Sequence, residues 1–185
     1  MTRHRELRIE RAAETDAGVV LALIKELADY EGMSDEVVAT EGDIRRALSL
    51  SQPSTEALIA RLGGNAVGFA LFFQNFSTFL GRSGLYLEDL FVKCEWRGQG
   101  IGHQLLVALA RLAVERRCGR MEWSVLDWNE LAMKSYRRVG AAPLDQWTVW
   151  RLTGRALESL AAESPPGDGL VGWESEEQER ASHED

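Results

Sequence analysis

Arg97-Gly98-Gln99-Gly100-Ile101-Gly102 packs three glycines into one short turn. An apolar segment, Leu85 to Val92, runs into it, and a stretch with Ile101, Leu105, Leu109 and Leu112 on one face runs out. A strand entering and a helix leaving such a turn bare several backbone N–H groups at the positive end of the helix dipole. That arrangement suits phosphate oxygens. Arg97 adds a cation at the rim. The same glycines would also permit a tight strand-to-helix connection that holds no ligand. If a phosphorylated group is held, its class follows by exclusion. A nucleotide-phosphate loop needs Gly-Lys-Ser/Thr, whereas His103 and Gln104 follow Gly102. A dinucleotide fingerprint needs G-x-G-x-x-G in a first βα unit, with a ribose-binding acid about 20 residues on. Here the spacing is G-x-G-x-G, and it falls mid-chain. A pyrophosphate-bearing acyl-CoA remains.

Glu88 and Asp89 are adjacent in the segment that enters this turn. Strand alternation puts them on opposite faces, unless a bulge turns both to one side. Both faces of that segment are otherwise apolar, and a buried carboxylate is costly unless paired or used. A partly buried Glu88 would have a raised pKa and could act as a base near neutral pH; the other reading is an ion pair or a satisfied hydrogen-bond site. Asn129 is either the N-cap of a helix or a direct contact. Tyr136, two turns on, is either a core aromatic or a proton donor, since a phenol titrates near 10. Glu31, beside Tyr30, and Trp150 could cradle an ammonium group; the other reading is a solvated charge and a core ring. Cys94 lacks a nearby histidine, so covalent cysteine chemistry is disfavoured. His103 reads as a surface residue.

These residues need elements to hold them. Leu7 to Arg11 alternates as a first strand. A helix is expected from Ala17 to about Tyr30, closed by Gly32, with Val20, Leu23, Ile24 and Leu27 on its apolar face. Thr40 and Asp43 form a capping-box-like start for a helix through Leu50, before Pro53. Glu56 to Leu62 and Ala66 to Phe76, joined by Gly63-Gly64-Asn65, read as a hairpin. A loop over Ser77 to Ser83 precedes a strand from Gly84 to Val92. The helix after the glycine turn runs to about Arg117, then Arg120 to Val125 is a strand. Asn129 opens a helix to Val139 with Gly140 closing it. Gln146 to Leu152 reads as a last strand, and Arg155 to Glu163 as a short helix. Hairpin pairing first and βαβ crossovers afterwards imply a mixed α/β sheet.

A chain of 185 residues suits one domain, here 1–163, followed by an acidic stretch, 164–185, expected to be disordered. That stretch holds seven acids against the single base Arg180, which is six of the eight net negative charges. No basic face with interleaved aromatics marks a nucleic-acid partner. No apolar run reaches the ~20 residues that span a bilayer, and the charged N-terminus lacks a signal peptide's apolar core. Cys94 and Cys118 have no metal-type spacing and read as free thiols in a reducing compartment; with three scattered histidines, no zinc site is expected.

Four motifs together resemble one family. The strand 85–92, the turn 97–102 and the helix from Asn129 to Tyr136 look like the acetyl-CoA site of the GNAT acetyltransferases. Ile24-Lys25-Glu26-Leu27-Ala28-Asp29-Tyr30-Glu31, Tyr86-Leu87-Glu88-Asp89-Leu90-Phe91-Val92 and Tyr136-Arg137-Arg138-Val139-Gly140-Ala141 resemble the spermidine/spermine (diamine) acetyltransferases. Leu126-Asp127-Trp128-Asn129 with Ala132-Met133 is closer to the thialysine acetyltransferase branch. The likeness covers about residues 6 to 153.

The resemblance implies a mixed, mostly antiparallel sheet flanked by helices, with parallel strands 4 and 5 splayed apart. Backbone groups of Phe91, Val92 and Cys94 would pair with the pantetheine arm of acetyl-CoA. Arg97, Gly98, Gln99, Gly100, Ile101 and Gly102 would hold its pyrophosphate, with Asn129 and Tyr136 completing the contacts. Glu88 would serve as base and Tyr136 as the acid that protonates the departing thiolate. Glu31, Asp89 and Trp150 would line the site of a small cationic amine. The family implies a cytoplasmic homodimer; no metal, nucleic-acid or membrane partner is expected from the residues themselves. The polyamine enzymes carry acids just before the tryptophan, where this chain has Pro143-Leu144-Asp145-Gln146-Trp147-Thr148-Val149. Among diamines, polyamines and thialysine-like amino acids, that departure weighs against spermidine and spermine and keeps shorter diamines, thialysine-like amino acids or another primary amine as acceptors. A protein-lysine acetyltransferase and a non-catalytic acyl-CoA sensor share the coenzyme grip; a sensor would need neither Glu88 nor Tyr136.

Overall fold

A computed structural model describes residues 6–49 and 54–163. Five strands form one sheet in the order β1-β2-β3-β4-β5: Leu7–Arg11, Glu56–Leu62, Asn65–Ser77, Arg82–Val92 and Met121–Trp123. The first four are antiparallel, and β4 and β5 are parallel. Helices α1 (Ala17–Glu31) and α2 (Glu41–Ala47) come before the hairpin. Helix α3 (Ile101–Glu115) crosses over between β4 and β5, and α4 (Glu130–Arg138) follows β5. The mixed α/β sheet with parallel strands 4 and 5 is therefore as the sequence predicts. No described helix is long and apolar enough to cross a membrane.

Alternation sorts the core into two layers. Leu58, Ala60, Val67, Ala70, Phe72, Leu85, Leu87 and Val92 meet the α3 stripe of Ile101, Leu105, Leu106, Leu109 and Ala113. On the opposite face, Ala57, Ile59, Phe69, Leu71 and Phe91 meet Val20, Leu23 and Leu27 of α1. Each fully buried Leu, Ile or Phe contributes roughly 1.5–3 kcal/mol, so these layers fix the helices that carry the site. Capping matches the sequence pattern. Gly32 closes α1 with a left-handed φ of 74°, and the Thr40–Asp43 capping box opens α2. After α4, Gly140 N–H donates to Arg137 O and Ala141 N–H to Tyr136 O, a Schellman closure.

Several boundaries differ. β4 begins at Arg82, inside the expected loop, because the hairpin ladder continues through Ser77–Arg82. β5 keeps only three of the six expected residues, since its ladder to β4 consists of Leu85–Met121, Tyr86–Glu122 and Leu87–Trp123. α2 ends at Ala47, short of the expected Leu50, which lies outside the described residues.

The chain divides into two compact units, 1–141 and 142–185. In the second, α5 spans Gly154–Ala161. The strand expected over Gln146 to Leu152 does not form: the apolar alternation is present, but no described strand supplies a ladder for it. Trp147, Val149 and Trp150 are exposed there. The acidic stretch 164–185 lies outside the described residues.

Candidate active site

A bulge in β4 organises the acids. Leu87 pairs with Phe72 and Asp89 with Leu71, which leaves Glu88 as the extra residue. Leu87 and Leu90 both pack on the α3 side although they are three positions apart. The two carboxylates between them consequently turn to the α1 side, the face that also carries Leu71 and Phe91. The bulge reading of the sequence holds, not simple alternation. Glu88 is the exposed member, which corrects the partial burial expected of it. Burial falls on Asp89, whose carboxyl is pushed up to about 6 by desolvation and then by the charges of Glu88 and Glu31.

Glu31, the last residue of α1, joins this group. Burial raises its own pKa. Lys93 Nζ, just past β4, lies 2.6 Å from Glu26 Oε1 and ties the C-terminal half of α1 to the end of β4. Tyr136 projects from α4 and meets Trp123 of β5 edge-on, with ring centroids 5.1 Å apart. Burial and then the charge of Glu31 raise its hydroxyl above the ordinary phenol range, so it stays protonated at neutral pH. The fold thus gathers Glu31, Glu88, Asp89 and Tyr136 from α1, β4 and α4.

Beyond Leu87–Trp123 the two parallel strands no longer pair, so the edge of β4 from Glu88 to Val92 has no neighbour in β5. Such an edge offers N–H and C=O groups to an added strand-like ligand. Tyr86 and Ser124 hydroxyls, 3.0 Å apart, pin β5 at the point where the gap opens. Cys94 is exposed in the turn just after β4.

The glycine turn closes this gap. Gly98 and Gly100 take φ values of 75° and 80°, which only glycine adopts freely. A Cβ at either would meet no atom within 4 Å, so the space above the turn is open. Gly100 caps α3 without any side-chain hydrogen bond, which leaves the N–H groups of its first turn to a ligand. This cradle suits a pyrophosphate. At Gly102 a Cβ would make only ordinary van der Waals contact with Leu90 and Val92 at 3.7 Å, so neither packing nor backbone freedom demands glycine there.

Two residues expected at the coenzyme have partners within the chain. Arg97 Nε donates to Val92 O at 2.9 Å, and its guanidinium lies over the Tyr30 ring, 4.0 Å from the centroid. Asn129 Oδ1 accepts from Ala132 N at 3.2 Å, so it is the N-cap of α4. Trp150 lies in the second unit, 90% exposed and outside any strand. Among the described residues, no group of three His, Cys, Asp or Glu could hold a metal ion. The stack of Trp128, Tyr30 and Arg97 was not read from the sequence as a unit. Its members come from a helix end, a loop and a turn, and no periodicity joins them.

A parallel pair thus stops pairing beside a helix N-terminus, with three acids and a phenol gathered from α1, β4 and α4. The model of the acetyltransferase (GNAT) family matches residues 21–141, and the chain belongs to that family. It is 38% identical to thialysine N-epsilon-acetyltransferase of Bos taurus over 164 residues, covering 83% of this chain and 96% of the relative. It is also 44% identical to L-ornithine N5-acetyltransferase NATA1 of Arabidopsis thaliana over 93 residues, covering 50% of this chain and 41% of that protein. Among solved structures, an integron cassette protein from the mobile metagenome of V. cholerae superposes with a TM-score of 0.71 at 27% identity. That match covers 85% of this chain and 98% of the other.

Proposed function

We propose that this chain transfers an acetyl group from acetyl-CoA to a primary amine of a small cationic molecule, by direct attack. The observation that carries this reading is the bulge at Glu88, which sets two carboxylates beside Glu31 at the mouth of the gap between β4 and β5. The relatives named for thialysine and ornithine support an amino acid with a side-chain amine as acceptor. Short diamines belong to the same class.

The chemistry gives each residue a task. An alkyl amine with a pKa near 10.4 is about 99.9% protonated at pH 7 and cannot attack a thioester until it loses a proton. Glu31, Glu88 and Asp89 attract the ammonium form. Asp89, with a pKa of about 6, takes the first proton from the ammonium, which frees the nitrogen lone pair to close on the acyl carbon. Glu88, beside it and exposed, returns that proton to water. Acetyl-CoA supplies the acyl carbon and a thiolate leaving group. The main-chain groups of Phe91, Val92 and Cys94 align its pantetheine arm, and the N–H groups of residues 98–102 hold its pyrophosphate. Tyr136 gives its hydroxyl proton to the departing sulfur, and the second proton, shed by the nitrogen as the amide forms, restores the phenol. Trp150 remains assigned to the amine site on resemblance alone. A cytoplasmic homodimer is the setting that this reading carries.

The test is thiol release from acetyl-CoA with a panel of diamines, polyamines, thialysine, ornithine and lysine peptides. Release is expected with small amino acids or diamines that carry a free side-chain amine. Release with peptides alone would replace the acceptor class with protein lysine. Tight coenzyme binding without release would favour a sensor.

A further inference from the structure

We propose that Tyr30 is a positioning residue for acyl transfer, acting through Arg97. Its ring lies where the acceptor end of the site meets the coenzyme turn. The Arg97 guanidinium is 4.0 Å from the Tyr30 centroid and 5.6 Å from that of Phe91. The rings of Tyr30 and Phe91 are themselves 6.5 Å apart. On another side, Trp128 packs at 5.7 Å with a 59° tilt. Trp128 immediately precedes Asn129, the cap of the helix that bears Tyr136.

Arg97 is thereby held at two points. The aromatic faces take its delocalised cation, and Val92 O takes its Nε proton. Arginine suits this double duty because its planar group stacks and donates at once. Val92 lies on the unpaired edge of β4, and Arg97 opens the glycine turn. Fixing this side chain fixes the angle between that edge and the turn, so the two halves of the coenzyme site keep one geometry. Tyr30 is followed by Glu31, so the same ring anchors the helix end that brings the third carboxylate. None of this needs the Tyr30 hydroxyl; it needs a flat, electron-rich face.

The inference rests on the reading that residues 97–102 hold acetyl-CoA. A cation–π contact is worth about 0.5–2 kcal/mol, which converts to roughly a 2- to 30-fold change in an equilibrium constant. Tyr30→Leu is expected to weaken acetyl-CoA binding by an amount in that range in equilibrium titration, and to raise KM for acetyl-CoA more than it lowers kcat. Tyr30→Phe keeps the ring and should restore affinity to within about two-fold, which a loss of mere bulk would not explain for the leucine variant. In an Arg97→Ala background, Tyr30→Leu should add less than two-fold, because contacting residues are non-additive. Wild-type affinity in Tyr30→Leu, equal weakening in Tyr30→Phe, or full additivity with Arg97→Ala would each overturn the positioning role alone. Absence of acetyl-CoA binding by the wild-type protein would overturn the reading of the turn, and this inference with it.

Discussion

Asp89→Asn is expected to cut kcat/KM for the amine about 100-fold or more and, at the same time, to stabilise the protein above pH 7. The first effect is loss of the proton acceptor, worth about 10²–10⁴ in rate. The second follows from linkage. The Asp89 carboxyl titrates at about 6 in the folded protein against an ordinary 3.8. A raised folded pKa in an acid means that folding favours its protonated form. Stability from this group is full below about pH 4 and is lost as pH rises through about 6. The deficit at pH 7.5 is on the order of 2–3 kcal/mol. Asparagine removes it, so urea unfolding at pH 7.5 should show a gain that vanishes by pH 4. A less stable variant at pH 7.5 would contradict the assignment of burial strain to this carboxyl.

The same residue sets the pH profile. The acid limb of kcat/KM reports the free enzyme, so it should lie near pH 6 and disappear in Asp89→Asn. Glu88→Gln supplies the discriminating control. Glu88 is the second cause of the Asp89 shift, so removing its charge should move the limb to lower pH. A limb displaced upward instead would assign proton acceptance to Glu88.

Tyr136→Phe is expected to lower kcat about 10- to 100-fold, the lower end of general acid catalysis, because a thiolate already leaves well. Acetyl-CoA affinity should stay within about two-fold, and the protein should remain folded, since the ring still packs on Trp123. Steady-state turnover with a saturating amine, beside coenzyme titration, separates the two quantities. Undiminished kcat would remove Tyr136 as the acid. The raised hydroxyl pKa keeps this group protonated at neutral pH, so its ionisation should not limit activity there.

Local signals along the chain specify the elements that hold these groups. Period-2 and period-3.6 patterns located β1 to β4, α1 and α3, and cap residues Gly32, Thr40, Asn129 and Gly140 marked true helix ends. Those features depend on neighbours a few positions apart, so a single chain reveals them. The bulge at Glu88 depends on the register of β3 against β4, which adjacent residues do not encode; alternation alone would have separated the two acids. Burial passed to Asp89 for the same reason. The segment Gln146 to Leu152 shows the reverse error: its apolar alternation is real, yet a strand exists only when another strand supplies its hydrogen bonds. Arg97 was legible as a cation beside the turn, but its partners, Tyr30 and the Val92 carbonyl, meet it only in three dimensions.

The central claim is that main-chain amides at residues 98–102, together with the open edge of β4, hold the coenzyme. Isothermal titration of the purified protein with CoA and acetyl-CoA tests it most directly, with Gly100→Val as the matched variant. Saturable one-to-one binding is expected, weakened at least 10-fold when a β-branched side chain is placed at the positive φ of Gly100. No heat of binding with either form of the coenzyme, or equal affinity in Gly100→Val, would contradict it.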